Sequence, residues 1–198
     1  MADGAGSVEI AAAVAIVRKE YAYSEHFRFV MVRLHEPTPQ IILAYQPGAS
    51  VVREVFLSLL DKTPGTSAAY EAIVNLTEGS VTSWKRIEGQ PSLMFEEFFA
   101  CEEAVKADPC FQAALARRGI TEQDLGRVRI DPWSAGNYSN PEEDSRRILR
   151  TTVHYQLNAD DQEENSYAHP VAGLHAVLDL NTLEVIRIDD FGVIPIPQ

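Results

Sequence analysis

The side chains able to do chemistry are few and scattered. Five histidines, His26, His35, His154, His169 and His175, are the candidates for metal ligation or proton transfer. They form neither an H-x-H pair, which would put two imidazoles on one strand face, nor an HExxH pair, which would put them on one helix face. Cys101 and Cys110 are the only cysteines and make no C-x-x-C. A metal site would have to be assembled from distant residues. His154 falls on the polar side of an alternating strand, and His169 precedes Pro170, which makes it a turn residue. Both read more simply as structural imidazoles.

Nucleophile and phosphate motifs are missing too. Gly65-Thr66-Ser67-Ala68-Ala69 lacks the second glycine of a nucleophile elbow, and no glycine-rich loop matches a phosphate cradle. Glu96-Glu97 and Glu102-Glu103 are carboxylate pairs, but adjacent residues on a helix do not face one another. They are expected on a solvated face opposite Phe98 and Cys101. Asp160 and Asp161 lack the spacing of an EF-hand loop. That leaves aromatics. Trp133 stands between Pro132 and Ser134 at a strand end, and Tyr167 sits just before His169-Pro170. A large aromatic at such a place commonly plugs a core or lids one.

Composition narrows the function class. The 198 residues are 45% apolar and 23% charged, ordinary for a globular protein. A net charge of −12 argues against nucleic acid, which needs a cationic face. It would suit cationic ligands such as amines, although solubility is the simpler reason for it. No apolar run approaches the roughly 20 residues that span a bilayer, and Met1 to Ser7 has no basic segment leading into an apolar one. The expectation is a cytoplasmic protein with no membrane and no nucleic-acid partner. In a reducing compartment both thiols should be buried as small hydrophobes, a disulfide between them being the alternative. Asn75-Leu76-Thr77 and Asn137-Tyr138-Ser139 fit the glycosylation pattern but carry no weight without secretion.

The elements that must position these residues alternate between two periods. Ile10, Val14, Val17 and Tyr21 recur at helical spacing, with Ser7 as N-cap and Glu9 in the first turn. The segments 27–34, 40–45 and 53–59 read as strands. Tyr70, Ala72, Val74 and Leu76 alternate with Glu71, Ile73 and Asn75, and Glu78-Gly79 turns the chain into a strand over 81–87. At Gly89-Gln90-Pro91-Ser92 the strand run ends and a helical one begins. Met94, Phe98, Cys101 and Val105 form one stripe, Asp108-Pro109 starts a second helix that Gly119 ends, and Thr121 with Asp124 forms a capping box. Strands resume at Arg127, alternate from Leu149 to Leu157, and close as a hairpin over 174–189. Asp160 to Asn165 reads as a solvated acidic loop.

A weak internal repeat underlies this. Ala72-Ile73-Val74-Asn75-Leu76, a turn and Val81 overlay Ala176-Val177-Leu178-Asp179-Leu180, a turn and Val185. The expected fold is α+β: two small similar domains, 1–90 and 91–198, each a helix packed on an antiparallel sheet.

Several segments, in order, resemble the N-terminal part of the copper amine oxidases. They are Ile10 to Arg18, Arg28-Phe29-Val30 through Leu34-His35-Glu36-Pro37, Tyr70-Glu71-Ala72 with Val81-Thr82-Ser83-Trp84, and Glu96-Glu97-Phe98 through Asp108-Pro109. Arg129-Ile130-Asp131-Pro132-Trp133-Ser134-Ala135-Gly136, Arg146 to Arg150 and Tyr167-Ala168-His169-Pro170 continue the series, so that the resemblance runs from about Val8 to Pro197. It implies two small α+β domains that precede a catalytic β-sandwich, in a homodimeric enzyme that oxidises primary amines. It also implies copper, held by an H-x-H pair and a third histidine, and topaquinone made from the tyrosine of an Asn-Tyr-Asp/Glu motif, with a downstream aspartate as base. Asn137-Tyr138-Ser139 has the wrong third residue and lies in another segment. No catalytic residue, metal ligand or cofactor is therefore assigned to this chain. Its implied partners are the catalytic domain, a second copy and a primary amine. Phe98, Trp133 and Tyr167 match places that line the family's substrate channel, and they are expected to converge near Gly136 and His169. The function that follows is a non-catalytic portion that shapes the channel and supports the dimer. The alternative is a free-standing binding module of the same fold.

Overall fold

Two switches from helical to strand periodicity produce two α+β units, Met1–Ser92 and Leu93–Gln198. The computed structural model describes residues 6–21, 24–64, 68–136, 140, 141, 143, 146–161 and 163–197. Asn137-Tyr138-Ser139 and residues 65–67 of the Gly-Thr-Ser segment lie outside the described residues. Among the described residues no helix is long and apolar enough to cross a membrane.

The first unit is one helix on a four-stranded antiparallel meander. Helix α1, Ser7–Glu20, begins one residue earlier than the capping pattern suggests. Gly6 rather than Ser7 is the N-cap, and its N–H donates to Glu9 Oε2 at 3.0 Å. Glu9 also receives Arg53 Nε at 2.6 Å, and this contact leads in holding its carboxyl below the usual range. The helix buries Ala13 and Val17, one turn apart, against Val55, Leu57, Leu59, Ala72 and Val74. These come from β2 (Glu54–Asp61) and β3 (Ala68–Asn75), which lie between β1 (Phe27–His35) and β4 (Ser80–Ile87). Tyr21, just past the helix, stacks on Trp84 of β4 with ring centroids 3.9 Å apart.

The segment 40–45, expected as a strand, instead holds a short helix, α2 (Pro39–Leu43). Pro39 has no N–H for a ladder and sits at a first helical turn, where none is needed. The run Gln40-Ile41-Ile42-Leu43 also lacks the alternation of a half-buried strand. Ile41, Ile42 and Leu43 are exposed.

The second unit repeats the plan with two helices. α3 (Phe95–Ala107) and α4 (Pro109–Ala116) precede a meander of β5 (Val128–Ser134), β6 (Ile148–Tyr155), β7 (Leu174–Asp179) and β8 (Glu184–Asp190), paired in that order. Asp108 caps α4 by accepting the Phe111 N–H at 2.8 Å, with Pro109 at the first position. Asp124 closes the expected box by accepting both the N–H and O–H of Thr121, at 3.0 and 2.8 Å. Cys101, Val105, Phe111 and Leu115 from the helices meet Val128, Ile130, Leu149, Val153, Leu174 and Leu178 from the sheet.

Two sequence expectations fail here. Glu97, assigned to a solvated face, is buried in a bidentate ion pair with Arg147, whose side chain is also buried. The inward stripe of α3 therefore runs Met94, Glu97, Cys101, Val105, and Phe98 turns partly outward at 37% exposure. Cys110 is exposed, not buried, because Phe111 takes the inward position of α4; both thiols are free.

The repeat is real at the level of backbone detail. β3 and β4 slip register between Ile73 and Val74, and β7 and β8 slip between Val177 and Leu178, the positions that the repeat aligns. The next residue in each copy caps the turn. Asn75 Oδ1 accepts the Glu78 N–H at 3.0 Å, and Asp179 Oδ1 accepts the Asn181 N–H at 2.9 Å.

Candidate functional site

β5 is an edge strand, so Pro132 lacks no ladder partner on its outer side. Its pleat sends Val128 and Ile130 into the helix-covered core and Arg129, Asp131 and Trp133 to the opposite face. On that face Trp133 Nε1–H donates to Asp131 Oδ2 at 3.0 Å, and the Tyr167 hydroxyl donates to the same oxygen at 3.0 Å. Both rings remain 61% exposed, so neither plugs a core.

Tyr167 reaches this point because its turn is tied down on all sides. Asn165 Oδ1 accepts the Tyr167 N–H at 3.2 Å and starts the single 3-10 turn Ser166–Ala168. The following residues rejoin β6: the Tyr155 N–H donates to His169 O at 3.0 Å, and the Val171 N–H to Val153 O at 2.8 Å. His169 holds Glu164 at 3.2 Å through Nε2 and Pro197 O at 2.9 Å through Nδ1. Glu164 in turn accepts the N–H groups of Asn158 and Leu157, which orders part of the acidic loop.

Beneath Tyr167 lies His154, with ring centroids 4.5 Å apart. His154 is buried; its Nε2 meets Thr152 Oγ1 at 3.1 Å, and its Nδ1 has no hydrogen-bond partner. Burial lowers its pKa, and the nearby Asp131 charge only partly opposes that. The hydrogen bond to Asp131 raises the Tyr167 pKa. At neutral pH imidazole and phenol are both uncharged.

Phe98 sits elsewhere. With Phe95, Phe99, Glu102 and Ile130 it lines a groove of about 340 Å³ beside α3. Ile130 and Asp131 are adjacent on one strand and so point to opposite faces. Trp133 and Tyr167 thus share one surface, while Phe98 belongs to the helix-covered side. The sequence reading named these aromatics without Asp131, the residue that joins two of them. The spacing of Asp131 and Trp133, two apart on a strand, carried that signal.

Among the described residues no group of three or more His, Cys, Asp or Glu side chains could hold a metal ion. No chemical step is assigned to this chain.

Comparisons with known proteins identify the family. The family model "Copper amine oxidase, N3 domain" matches residues 96–198, and the "AGAO-like N2 domain" model matches residues 7–84. The chain is 41% identical over 198 residues to a primary amine oxidase of Arthrobacter sp. (strain P1), covering 99% of this chain and 29% of that protein. It is 27% identical to the primary amine oxidase of Klebsiella aerogenes, covering 97% of this chain and 25% of that protein. A crystal structure of a copper-containing benzylamine oxidase from Hansenula polymorpha shares the fold at a TM-score of 0.75, with 18% identity, over 96% of this chain and 30% of the other. The chain spans less than a third of the length of these relatives. It belongs to the copper amine oxidase family, as the two small N-terminal domains of such an enzyme.

Proposed function

We propose that the chain is the non-catalytic N-terminal portion of a longer primary-amine oxidase. The parent reaction converts a primary amine, dioxygen and water to an aldehyde, ammonia and hydrogen peroxide. Copper and topaquinone would supply that chemistry in the catalytic domain, outside these two units. The observation that supports the reading is the match through both units to a relative named as a primary amine oxidase, at 41% identity. The role assigned here is to wall the path by which amine reaches the catalytic domain, and to support the dimer.

Trp133 and Tyr167 suit a channel wall because exposed aromatic faces attract ammonium groups and also admit apolar tails. Phe98 and its neighbours present a second apolar surface, which a further domain would cover. The test is the longer enzyme with Trp133→Ala and Tyr167→Ala. Loss of an aromatic contact of about 1–2 kcal/mol lowers kcat/KM by about 5- to 30-fold. Copper and quinone content should stay constant. Unchanged kcat/KM in both variants would remove the channel-wall role. The chain alone should release no peroxide from any primary amine; turnover by it would overturn the non-catalytic reading.

A further inference from the structure

We infer that His169 is a proton-operated clasp: its imidazolium ties the segment 193–197, through the Pro197 carbonyl, to the Glu164 carboxylate, and loss of the proton releases Pro197. The inference goes beyond the channel-wall reading and does not depend on it.

Donor counting fixes the protonation state of the closed clasp. Nδ1 of His169 lies 2.9 Å from Pro197 O, and Nε2 lies 3.2 Å from Glu164 Oε1. A carbonyl oxygen only accepts, so Nδ1 must carry hydrogen. An ionised carboxylate also only accepts, and its surroundings keep Glu164 ionised. Oε2 accepts the Asn158 N–H at 2.6 Å, and Oε1 accepts the Leu157 N–H at 2.9 Å. The Asn158 contact leads in lowering the Glu164 pKa, and the charges of His169 and Arg127 act in the same direction. Nε2 must therefore carry hydrogen as well. A neutral imidazole has one N–H, and only the imidazolium has two.

The other ionisable groups around the ring do not take its place. His154 of β6 pairs with Pro170 in an isolated bridge, and burial lowers its pKa. Tyr167 gives its hydroxyl to Asp131. Arg127 donates to Gln156 O and Leu157 O and lies 3.6 Å from Asp124. The segment 193–197 carries no ionisable side chain.

Loss of the proton forces a choice between the two contacts. The Nε2–H tautomer keeps a bond to a carboxylate, and the Nδ1–H tautomer keeps one to a neutral carbonyl. The charge-assisted bond is the stronger. Nδ1 then turns a lone pair toward Pro197 O, and the carbonyl is let go. The loop side of the clasp stays shut, because Glu164 keeps Leu157 and Asn158. The near end of the chain's last stretch also stays in place. The Phe191 N–H donates to Gly173 O at 2.8 Å, and Arg118 donates to Gly192 O at 2.5 Å. Ile196 packs against the core between these anchors and Pro197. The proton on His169 thus governs the far end.

The test is NMR of the full chain, titrated through about pH 5–9, which brackets the usual range of an imidazole. The His169 ring nitrogen shifts report how many ring nitrogens are protonated. The Pro197 carbonyl carbon reports whether that group accepts a hydrogen bond. Both ring nitrogens should be protonated while the carbonyl is bound. As the ring titrates, the carbonyl should lose the downfield shift of a hydrogen-bonded group, with the same midpoint. In Glu164→Gln the side-chain amide can donate to Nε2, which leaves the one N–H of a neutral ring for Pro197. The carbonyl should then stay bound after the ring has lost its proton. In His169→Gln its signal should not follow pH at all. A bound carbonyl beside a singly protonated ring in the native chain, a carbonyl that stays still while the ring titrates, or a Glu164→Gln variant that still releases Pro197 would overturn the inference.

Discussion

Removing either partner of the Glu97–Arg147 ion pair should destabilise the second unit severely, while removing both should not. The two side chains are 4% and 3% exposed and meet through both carboxylate oxygens, with Arg147 Nη2 2.9 Å from Glu97 Oε2. Glu97 Oε2 also accepts the Met94 N–H at 2.9 Å, so it completes the start of α3. Arg147→Met strands a buried carboxylate, and Glu97→Met strands a buried guanidinium. Each costs about 3–5 kcal/mol. In the double variant no charge is stranded, and the remaining cost is the lost cap, about 1 kcal/mol. Native-state hydrogen exchange gives the measurement, because it reports each unit separately. Protection of the core amides of β6 and β7 should fall by about two to four powers of ten in each single variant, and by about one in the double. The β2 and β3 amides of the first unit serve as reference. Single variants that lose less than tenfold, or a double variant as poor as the sum, would refute the reasoning.

Two further outcomes follow from titratable groups. Asp190 accepts hydrogen bonds from Arg118, Arg117 and the Gly192 N–H, and these hold its pKa well below the usual carboxylate range. A depressed carboxyl contributes stability that is full above its unfolded pKa, about 4, and is lost as pH falls toward the folded value. The Tm gap between the native chain and Asp190→Asn should thus be constant above about pH 5 and shrink below it; a gap that widens in acid would refute the assignment. Burial pushes the Cys101 thiol up to about 12, whereas Cys110 is exposed. A maleimide should label one thiol per native chain, at Cys110, and both after unfolding; native labelling at Cys101 would contradict the packing.

Local signals in the sequence proved sufficient where their physics is local. The Asp108-Pro109 start of α4 and the Thr121–Asp124 box need only backbone within three residues, and both form as read. Alternation along β3 and β6 selects one buried face whatever the partner strand is, so the strands and the two-layer plan were legible. The repeat was legible too, because its bulge and turn cap recur at matched residues.

What the tertiary structure alone decided is the fate of polar side chains whose partners are distant. Glu97 looks like any glutamate of an exposed helix face until Arg147, fifty positions on, meets it in the core. Asp131 gains its meaning from Tyr167, thirty-six positions away, whose hydroxyl donates to it. The strand expected at 40–45 gave way to a helical turn because Pro39 has no N–H for a ladder and suits a first helical position. Periodicity records which face of an element meets the core. It holds no information on which charge another segment brings there, and that pairing determines both the packing of α3 and the chemistry of the exposed aromatic face.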